Sequence, residues 1–300
     1  MAKFSAPQPG QWGWRRGVGR AGGAVLCVFA LAGCQPPPAV DPPVLRFGAI
    51  PDQAPERVAQ QHRAMIDRVC EAAKVRCQWV PSPDYEALVD RFGRGEIDVA
   101  YFGAVTLAQA MHRHAAEPLV MRDVDFRFTS VVLVRKDNPA PSLEQLRGKS
   151  FGFGNRSSTS GHYMLRQRLG DAHIVPEDHF ASVVYTGDHD ATLRAVADGK
   201  IDAGGVNASV FVHRLVDGDP AAGQLRVLWR SRPYIDYAWA ARAALSAGLK
   251  ARLVDAFLDL DLGVPRDAEA LAHEGAAGYV PAFASDFDEA TAVLRAQGKL

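Results

Sequence analysis

Phe151-Gly152-Phe153-Gly154-Asn155-Arg156-Ser157-Ser158-Thr159-Ser160-Gly161 leads from a short apolar stretch through a polar turn into His162 to Leu169, whose apolar spacing is helical. Strand, turn and helix in that order form the repeating unit of a layered α/β fold. The turn also carries chemistry. A helix start leaves backbone N–H groups without intrahelical partners and bears partial positive charge, so a tetrahedral anion placed there gains hydrogen bonds and a favourable dipole. The hydroxyls of Ser158, Thr159 and Ser160 add donors, and Gly161 permits close approach of the backbone. Two other readings share these residues. Ser and Thr are preferred helix caps whatever a protein binds. Gly152 to Ser157 also approximates the dinucleotide fingerprint G-x-G-x-x-G, with Ser in place of the third Gly and Asp171 close behind as the acid. One hydroxyl suffices for a cap, so the run Ser157 to Ser160 exceeds that need.

Outward from this turn the same alternation continues. Leu45 to Ile50 reads as a strand and Glu56 to Ala73 as a helix with Val58, Met65, Ile66 and Val69 inward. Gln78 to Val80 and Ile97 to Phe102 follow as strands, separated by a helix over Asp84 to Phe92 that Gly93 and Gly95 terminate; Thr106 to His112 is again helical. Thr129 to Val134 has the β-branched density of a buried strand, and Asn138-Pro139-Ala140-Pro141 breaks the chain before a short helix at Leu143 to Leu146. A second set of layers spans Phe151 to Trp229: strands at Val183 to Tyr185, Ile201 to Gly204 and Leu225 to Trp229, with a helix from His189 to Ala197 and another after Gly204. Tyr237 to Ala240 resembles a returning strand, and Leu249 to Leu260 and Phe287 to Leu294 are helical. Trp79 and Trp229 are expected to fill cores.

About 267 residues follow Gly33, a length that favours two domains. Two candidate crossover strands, near Val124 to Val134 and near Trp229 to Trp239, imply a first lobe from 44–126 plus 235–300 and a second from 127–234. The fold class is therefore α/β, with two doubly wound sheets joined by two crossover strands. Ligands of open α/β sheets bind beyond the carboxyl ends of the strands, so two such sheets facing one another create a cleft that domain motion can close.

Ahead of these layers, Lys3, Arg15, Arg16 and Arg20 precede an apolar run from Ala24 to Ala32, with no acid before Asp41. Residues 1–33 read as an export signal. The apolar run is much shorter than the roughly 20 residues of a membrane-spanning helix. Leu31-Ala32-Gly33-Cys34 resembles the lipobox of bacterial lipoproteins, in which the Cys is acylated; Arg15-Arg16 raises twin-arginine export as a second route. Residues 34–43, with Pro36-Pro37-Pro38 and Pro43, read as a stiff tether. The 34 basic residues balance 34 acidic ones, and removal of residues 1–33 leaves about −4, which offers nothing to nucleic acid. Cys70 and Cys77 remain in an oxidising compartment, where they form either a disulfide between a helix end and the next strand or two buried thiols. They have no well-spaced third ligand for a metal.

Several motifs, weak singly, occur together in a specific order: Ser82-Pro83-Asp84-Tyr85, Gly95-Glu96-Ile97-Asp98-Val99-Ala100-Tyr101-Phe102-Gly103, Ser130-Val131-Val132-Leu133-Val134, Ser158-Thr159-Ser160-Gly161, Gly187-Asp188-His189-Asp190 and Gly199-Lys200-Ile201-Asp202-Ala203. With them the chain resembles, from about Leu45 to Leu262, the substrate-binding proteins of ABC importers for phosphonates, phosphite and related oxyanions. The resemblance implies a two-lobed periplasmic-binding-protein-like fold of type II. It implies that Ser158, Thr159 and Ser160 hold the PO₃ group, that His189 donates to an anion oxygen, and that the Tyr85 hydroxyl reaches the ligand from the other lobe. Phe102 stands where phosphonate binders can carry a second tyrosine, and Ser209, in Val206-Asn207-Ala208-Ser209, where aminoalkylphosphonate binders can carry a Glu for the ammonium. Asp236 matches the remaining acid. The expected ligand thus lacks a strongly basic tail.

These features together lead to an exported, lipid-anchored monomer on the periplasmic side that closes on a small oxyanion and delivers it to an ABC permease, with no cofactor, metal or nucleic acid. A sensory protein of the same fold, read by a membrane kinase, shares every one of these features. A hydrolase would need a general base oriented by a third group beside one of the serines, and no G-x-S-x-G elbow precedes them. The cluster Arg122, Asp123, Asp125 and Arg127 reads as a surface charge network, with Arg127 as a further candidate near the anion.

Overall fold

In the computed structural model, residues 44–300 are described; the expected export signal, Cys34 and the expected tether lie outside the described residues. The chain runs through β1 (Val44–Ala49), α1 (Pro55–Ala73), β2 (Arg76–Trp79), α2 (Tyr85–Gly93), β3 (Val99–Phe102), α3 (Ala104–His114), β4 (Glu117–Arg122) and β5 (Ser130–Arg135). It continues with β6 (Ser150–Phe153), α4 (Met164–Asp171), α5 (Pro176–His179), β7 (Ser182–Tyr185), α6 (His189–Ala197), β8 (Ala203–Asn207), α7 (Ala208–Val216) and β9 (Leu225–Arg230). Last come β10 (Ala238–Ala241), α8 (Ala247–Leu258), α9 (Pro265–Glu274), β11 (Tyr279–Pro281) and α10 (Asp288–Ala296).

Local chemistry explains the first unit. Pro55 occupies the first turn of α1, where its missing N–H is not needed, and Val58, His62, Met65, Ile66, Val69, Cys70 and Ala73 then recur at helical spacing on the buried face. A disulfide joins Cys70 to Cys77, from the last turn of α1 to β2, in agreement with one of the two readings of that pair. Closing so short a loop removes about 2–3 kcal/mol of unfolded-chain entropy on the polymer view. β2 begins two residues earlier than its apolar run suggests, because pairing with β1 from Val44↔Arg76 to Phe47↔Trp79 sets its limits.

Two sheets result. The first has the order β11-β4-β10-β3-β1-β2 and the second β7-β6-β8-β5-β9. β1, β2 and β3 run parallel, while β10 returns antiparallel between β3 and β4. In the second sheet β6 pairs parallel with β7 and β8, and β5 lies antiparallel between β8 and β9. The chain crosses between sheets twice, after β4 and after β9. The two crossings meet at Phe128 and Tyr234, each donating its N–H to the other's carbonyl at 3.0 Å. The first crossing is shorter than expected, since Asp123–Arg127 is a 3₁₀ turn and the strand begins only at Ser130.

The aromatic centre of the first lobe is Trp239, fully buried, with Phe47, Tyr101 and Phe257 at ring distances of 5.7, 5.1 and 5.9 Å. Trp79 and Trp229, expected in the cores, are only half-buried against them, because β2 and β9 are edge strands with one flank uncovered. The charge cluster before the hinge also differs from expectation. Arg122 and Asp125 are buried, not superficial: Arg122 Nη2 and Nε donate to the Asp125 carboxylate at 2.7 and 2.9 Å and Nη1 donates to the Glu274 carbonyl at 2.7 Å. The guanidinium lies 5.5 Å from the ring centres of both Tyr101 and Tyr237. Bidentate pairing and aromatic faces compensate its desolvation. Asp123 and Arg127 are exposed.

Candidate ligand site between the lobes

The carboxyl ends of β1, β2, β3, β6, β7 and β8 all feed one interlobe region, as the rule for open α/β sheets requires. After β6 the chain does not enter a helix at once. Ser157 N donates to Asn155 Oδ1 at 2.8 Å and Ser158 N to the Asn155 carbonyl at 3.1 Å, making a tight turn. Thr159–Tyr163 then form one wide π-type turn before α4. Gly154 N donates to the Gly161 carbonyl at 3.0 Å, which folds the turn back on its strand and leaves no pyrophosphate-type opening at Gly152 to Ser157. Gly205 seats the unit: a Cβ there would stand 2.0 Å from Leu165 Cδ2, so only Gly lets α4 lie this close to β8.

Ser157, Ser158, Thr159 and Ser160 are all buried. Ser158 Oγ accepts from Gly161 N at 3.0 Å, so this residue is a cap as well as a lining group. Thr159 Oγ1 accepts from Val105 N, in the first turn of α3 on the other lobe, at 3.0 Å. Ser160 Oγ lies 3.4 Å from His189 Nε2, and its carbonyl accepts from Ser130 Oγ at 2.8 Å. Ser130 Oγ also meets Tyr234 Oη at 2.6 Å, which ties the turn to the hinge. Gly103 completes the approach, since a Cβ there would lie 3.0 Å from Thr159 Oγ1 and 3.3 Å from Asp236 Oδ1.

His189 opens α6, is 1 % exposed, and donates its backbone N–H to the Asp52 carbonyl at 3.0 Å. Its Nδ1 faces the Asn207 N–H at 3.4 Å, an arrangement that makes Nδ1 the acceptor and places the proton on Nε2. Burial pushes the imidazole pKa down. A ring with Nε2–H toward Ser160 is arranged to donate and is not poised as a base for the serine.

The facing lobe supplies Tyr85 at the start of α2 and Asp236 just before β10. Tyr85 is 1 % exposed, its Oη has no hydrogen-bond partner, and burial raises its pKa. Asp236 is 0 % exposed: Oδ1 accepts from Ala104 N at 2.9 Å while Oδ2 is unpartnered. Burial, reinforced by the charges of Asp125 and Asp52 and opposed by the Ala104 and Thr159 hydrogen bonds, pushes its carboxyl up to about 8. Tyr85 Oη and Asp236 Oδ2 are thus two buried polar atoms without partners on the side that faces the hydroxyl turn.

Phe102 and Asn207 also have partners within the protein. Phe102 packs edge-on against Phe92 at 5.3 Å in the first-lobe core, on the opposite side of its strand from Tyr101. Asn207 caps α7, accepting from Ser209 N and Val210 N at 2.7 and 3.2 Å, and donates to Tyr237 Oη at 3.0 Å. Tyr237 Oη in turn donates to Asp52 Oδ2 at 2.8 Å. Behind this chain a cavity of about 10 Å³, lined by Asp52, Tyr101, Arg122, Ser209 and Tyr237 among others, has room for a single water. Asp52 and Tyr237 were not foreseen. Asp52 lies three residues beyond the end of β1, a position at which ligand groups are to be sought.

With this geometry, comparisons with known proteins converge. Residues 47–287 match the family described as ABC transporter, phosphonate, periplasmic substrate-binding protein. The probable ABC transporter phosphite binding protein PhnD1 of Prochlorococcus marinus is 29% identical over 235 residues, covering 74% of this chain and 79% of that one. The phosphate-import protein PhnD of Mycolicibacterium smegmatis is 25% identical over 269 residues, covering 82% and 84%. The solved structure of the Prochlorococcus protein with methylphosphonate superposes with a TM-score of 0.82 at 27% identity, covering 87% of this chain and 100% of the other. The chain therefore belongs to the periplasmic phosphonate substrate-binding proteins of ABC transporters, a family of transport proteins and not of enzymes.

Proposed function

We propose that this chain captures a small tetrahedral phosphorus oxyanion, phosphite or a short alkylphosphonate, between its lobes and delivers it to an ABC permease. One observation carries the reading. A buried turn of three hydroxyl residues faces a neutral His189, and two unpartnered groups, Tyr85 Oη and Asp236 Oδ2, complete the cluster from the other lobe. Ser158 and Ser160 hydroxyls, His189 Nε2–H and Tyr85 O–H are all donors, while the N–H groups of Ser157, Ser158 and Gly161 are spent within the turn, so the anion is neutralised by dipoles and not by Lys or Arg. Asp236, protonated below about pH 8, adds a further O–H. Contacts from both lobes exist together only in the closed form, and this difference shifts the open-to-closed equilibrium.

Phosphite and methylphosphonate are the first ligands to test, because the Prochlorococcus relative is described as a phosphite-binding protein and was solved with methylphosphonate; phosphate is included because the Mycolicibacterium relative is a phosphate-import protein. The absence of an acid at Ser209 and the engagement of Asn207 as a cap argue against an ammonium tail. Titration calorimetry of residues 44–300 with phosphite, methylphosphonate, phosphate, 2-aminoethylphosphonate and sulfate is expected to show the tightest binding for one of the first two. Tight binding of none of the phosphorus compounds would refute the reading.

The lipid anchor belongs to the same proposal. Cys34 follows Leu31-Ala32-Gly33, and the proline-rich tether would hold the two lobes off the membrane. Expressed in a bacterium with labelled palmitate, the full chain is expected to take up label and Cys34→Ala to take up none. Equal labelling of the two would exclude acylation at Cys34.

A further inference from the structure

Asp190, next to His189, is engaged in a different buried contact between the lobes. It is 2 % exposed, and Arg214, in α7 of the same lobe, is 4 % exposed. Arg214 Nε donates to Asp190 Oδ1 at 2.8 Å. From the other lobe, Ala54 N donates to Asp190 Oδ2 at 3.2 Å, Gln53 Oε1 accepts from Arg214 Nη2, and Arg57 Nε stands 4.0 Å from Asp190 Oδ2. Ala54 is the capping position of the 19-residue α1 and has no side chain suited to that task, so a carboxylate of one lobe serves the helix end of the other. Burial opposes ionisation of Asp190, yet the Arg214 and Ala54 hydrogen bonds hold its carboxyl below the ordinary range.

The bonds of this cluster divide into two kinds. Asp190 and Arg214 belong to one lobe and stay neighbours however the lobes stand. The bonds to Gln53 and Ala54 form only on closure, and each involves an ionised group, the stronger kind of hydrogen bond.

We propose that Asp190 is a positioning residue for ligand capture: the cluster Gln53–Arg214–Asp190–Ala54 is a latch that sets how much of the ligand-free protein is closed. It thereby sets affinity without touching the anion. Apparent affinity scales with the fraction of protein in the binding-competent state, so a weaker latch weakens binding for every ligand alike. The affinity part rests on the oxyanion reading above; the closed fraction does not.

The test is small-angle scattering of residues 44–300, wild type and Asp190→Asn, with and without saturating phosphite, together with calorimetry. The ligand-free variant is expected to have the larger radius of gyration, phosphite to bring both proteins to the same radius, and the phosphite Kd of the variant to rise about tenfold. Ser160→Ala, in contrast, is expected to raise Kd while leaving the ligand-free radius at the wild-type value. Equal ligand-free radii for wild type and Asp190→Asn overturn the proposal whatever their affinities. Should circular dichroism show Asp190→Asn unfolded, Gln53→Ala breaks the latch from the opposite lobe with both helices intact, and its radius is read in the same way. If wild type binds no oxyanion, the functional reading fails while the comparison of radii still decides the latch.

Discussion

Thr159→Val is expected to weaken phosphite or methylphosphonate binding about 100-fold while moving the ligand-free melting temperature by only a few degrees. The substitution preserves shape and β-branching and removes one oxygen. That oxygen accepts from Val105 N across the cleft at 3.0 Å, and it sits 3.0 Å from where a Gly103 side chain would begin. On closure the valine variant buries the Val105 N–H without a partner, a cost of about 1–3 kcal/mol. The upper part of that range reaches the roughly 2.7 kcal/mol that a 100-fold change represents. In the open form water reaches the Val105 N–H, which is why affinity suffers more than folding. Calorimetry beside a ligand-free thermal melt separates the two. A fall of less than threefold in affinity would show that Thr159 does not bridge the lobes in the bound state.

The second large effect is a dependence on pH. The Asp236 carboxyl, raised to about 8, holds its proton at neutrality and can donate it to an anion oxygen. Above pH 8 the carboxylate instead repels the anion at close range, and affinity is expected to fall by up to about tenfold per pH unit. Asp236→Asn keeps an N–H donor and does not titrate. The ratio of variant to wild-type affinity, which cancels the ligand's own ionisation, should therefore climb between pH 7.5 and 9.5. A flat ratio over that interval would mean that Asp236 is not in the anion shell. Stability follows the same proton. The folded chain retains it over a range in which the unfolded chain, with an ordinary Asp, has released it. The contribution to stability is complete below about pH 4 and declines with rising pH until it is gone above about 8.

Local patterns made most of the elements legible. Met65, Ile66 and Val69 mark the buried face of α1, and the run Ser130 to Val134 marks a buried central strand, since both signals depend on spacing alone. β4, α9 and β11 were not read. Glu117-Pro118-Leu119-Val120-Met121-Arg122 neither alternates nor carries turn residues at its ends, and β11 is three residues closed by Pro281, so long-range pairing with β10 and with β4 creates both strands. Of the candidate site residues, the hydroxyl turn is legible because it follows a strand and opens a helix, whereas Tyr85, His189 and Asp236 are legible only through the motifs that carry the family resemblance. Asp52, Tyr237, Gln53 and Arg214 were not, since their partners are 24 to 185 residues away in the chain. Arg122 was misjudged for a related reason: nothing local announces that Tyr101, Tyr237 and the Glu274 carbonyl will enclose it.

The pairing of Phe128 with Tyr234 has a mechanical corollary. Because the two connections are stitched to each other, a displacement of one is carried to the other. Any mechanical coupling along the backbone from one lobe to the other therefore passes through this single paired strip.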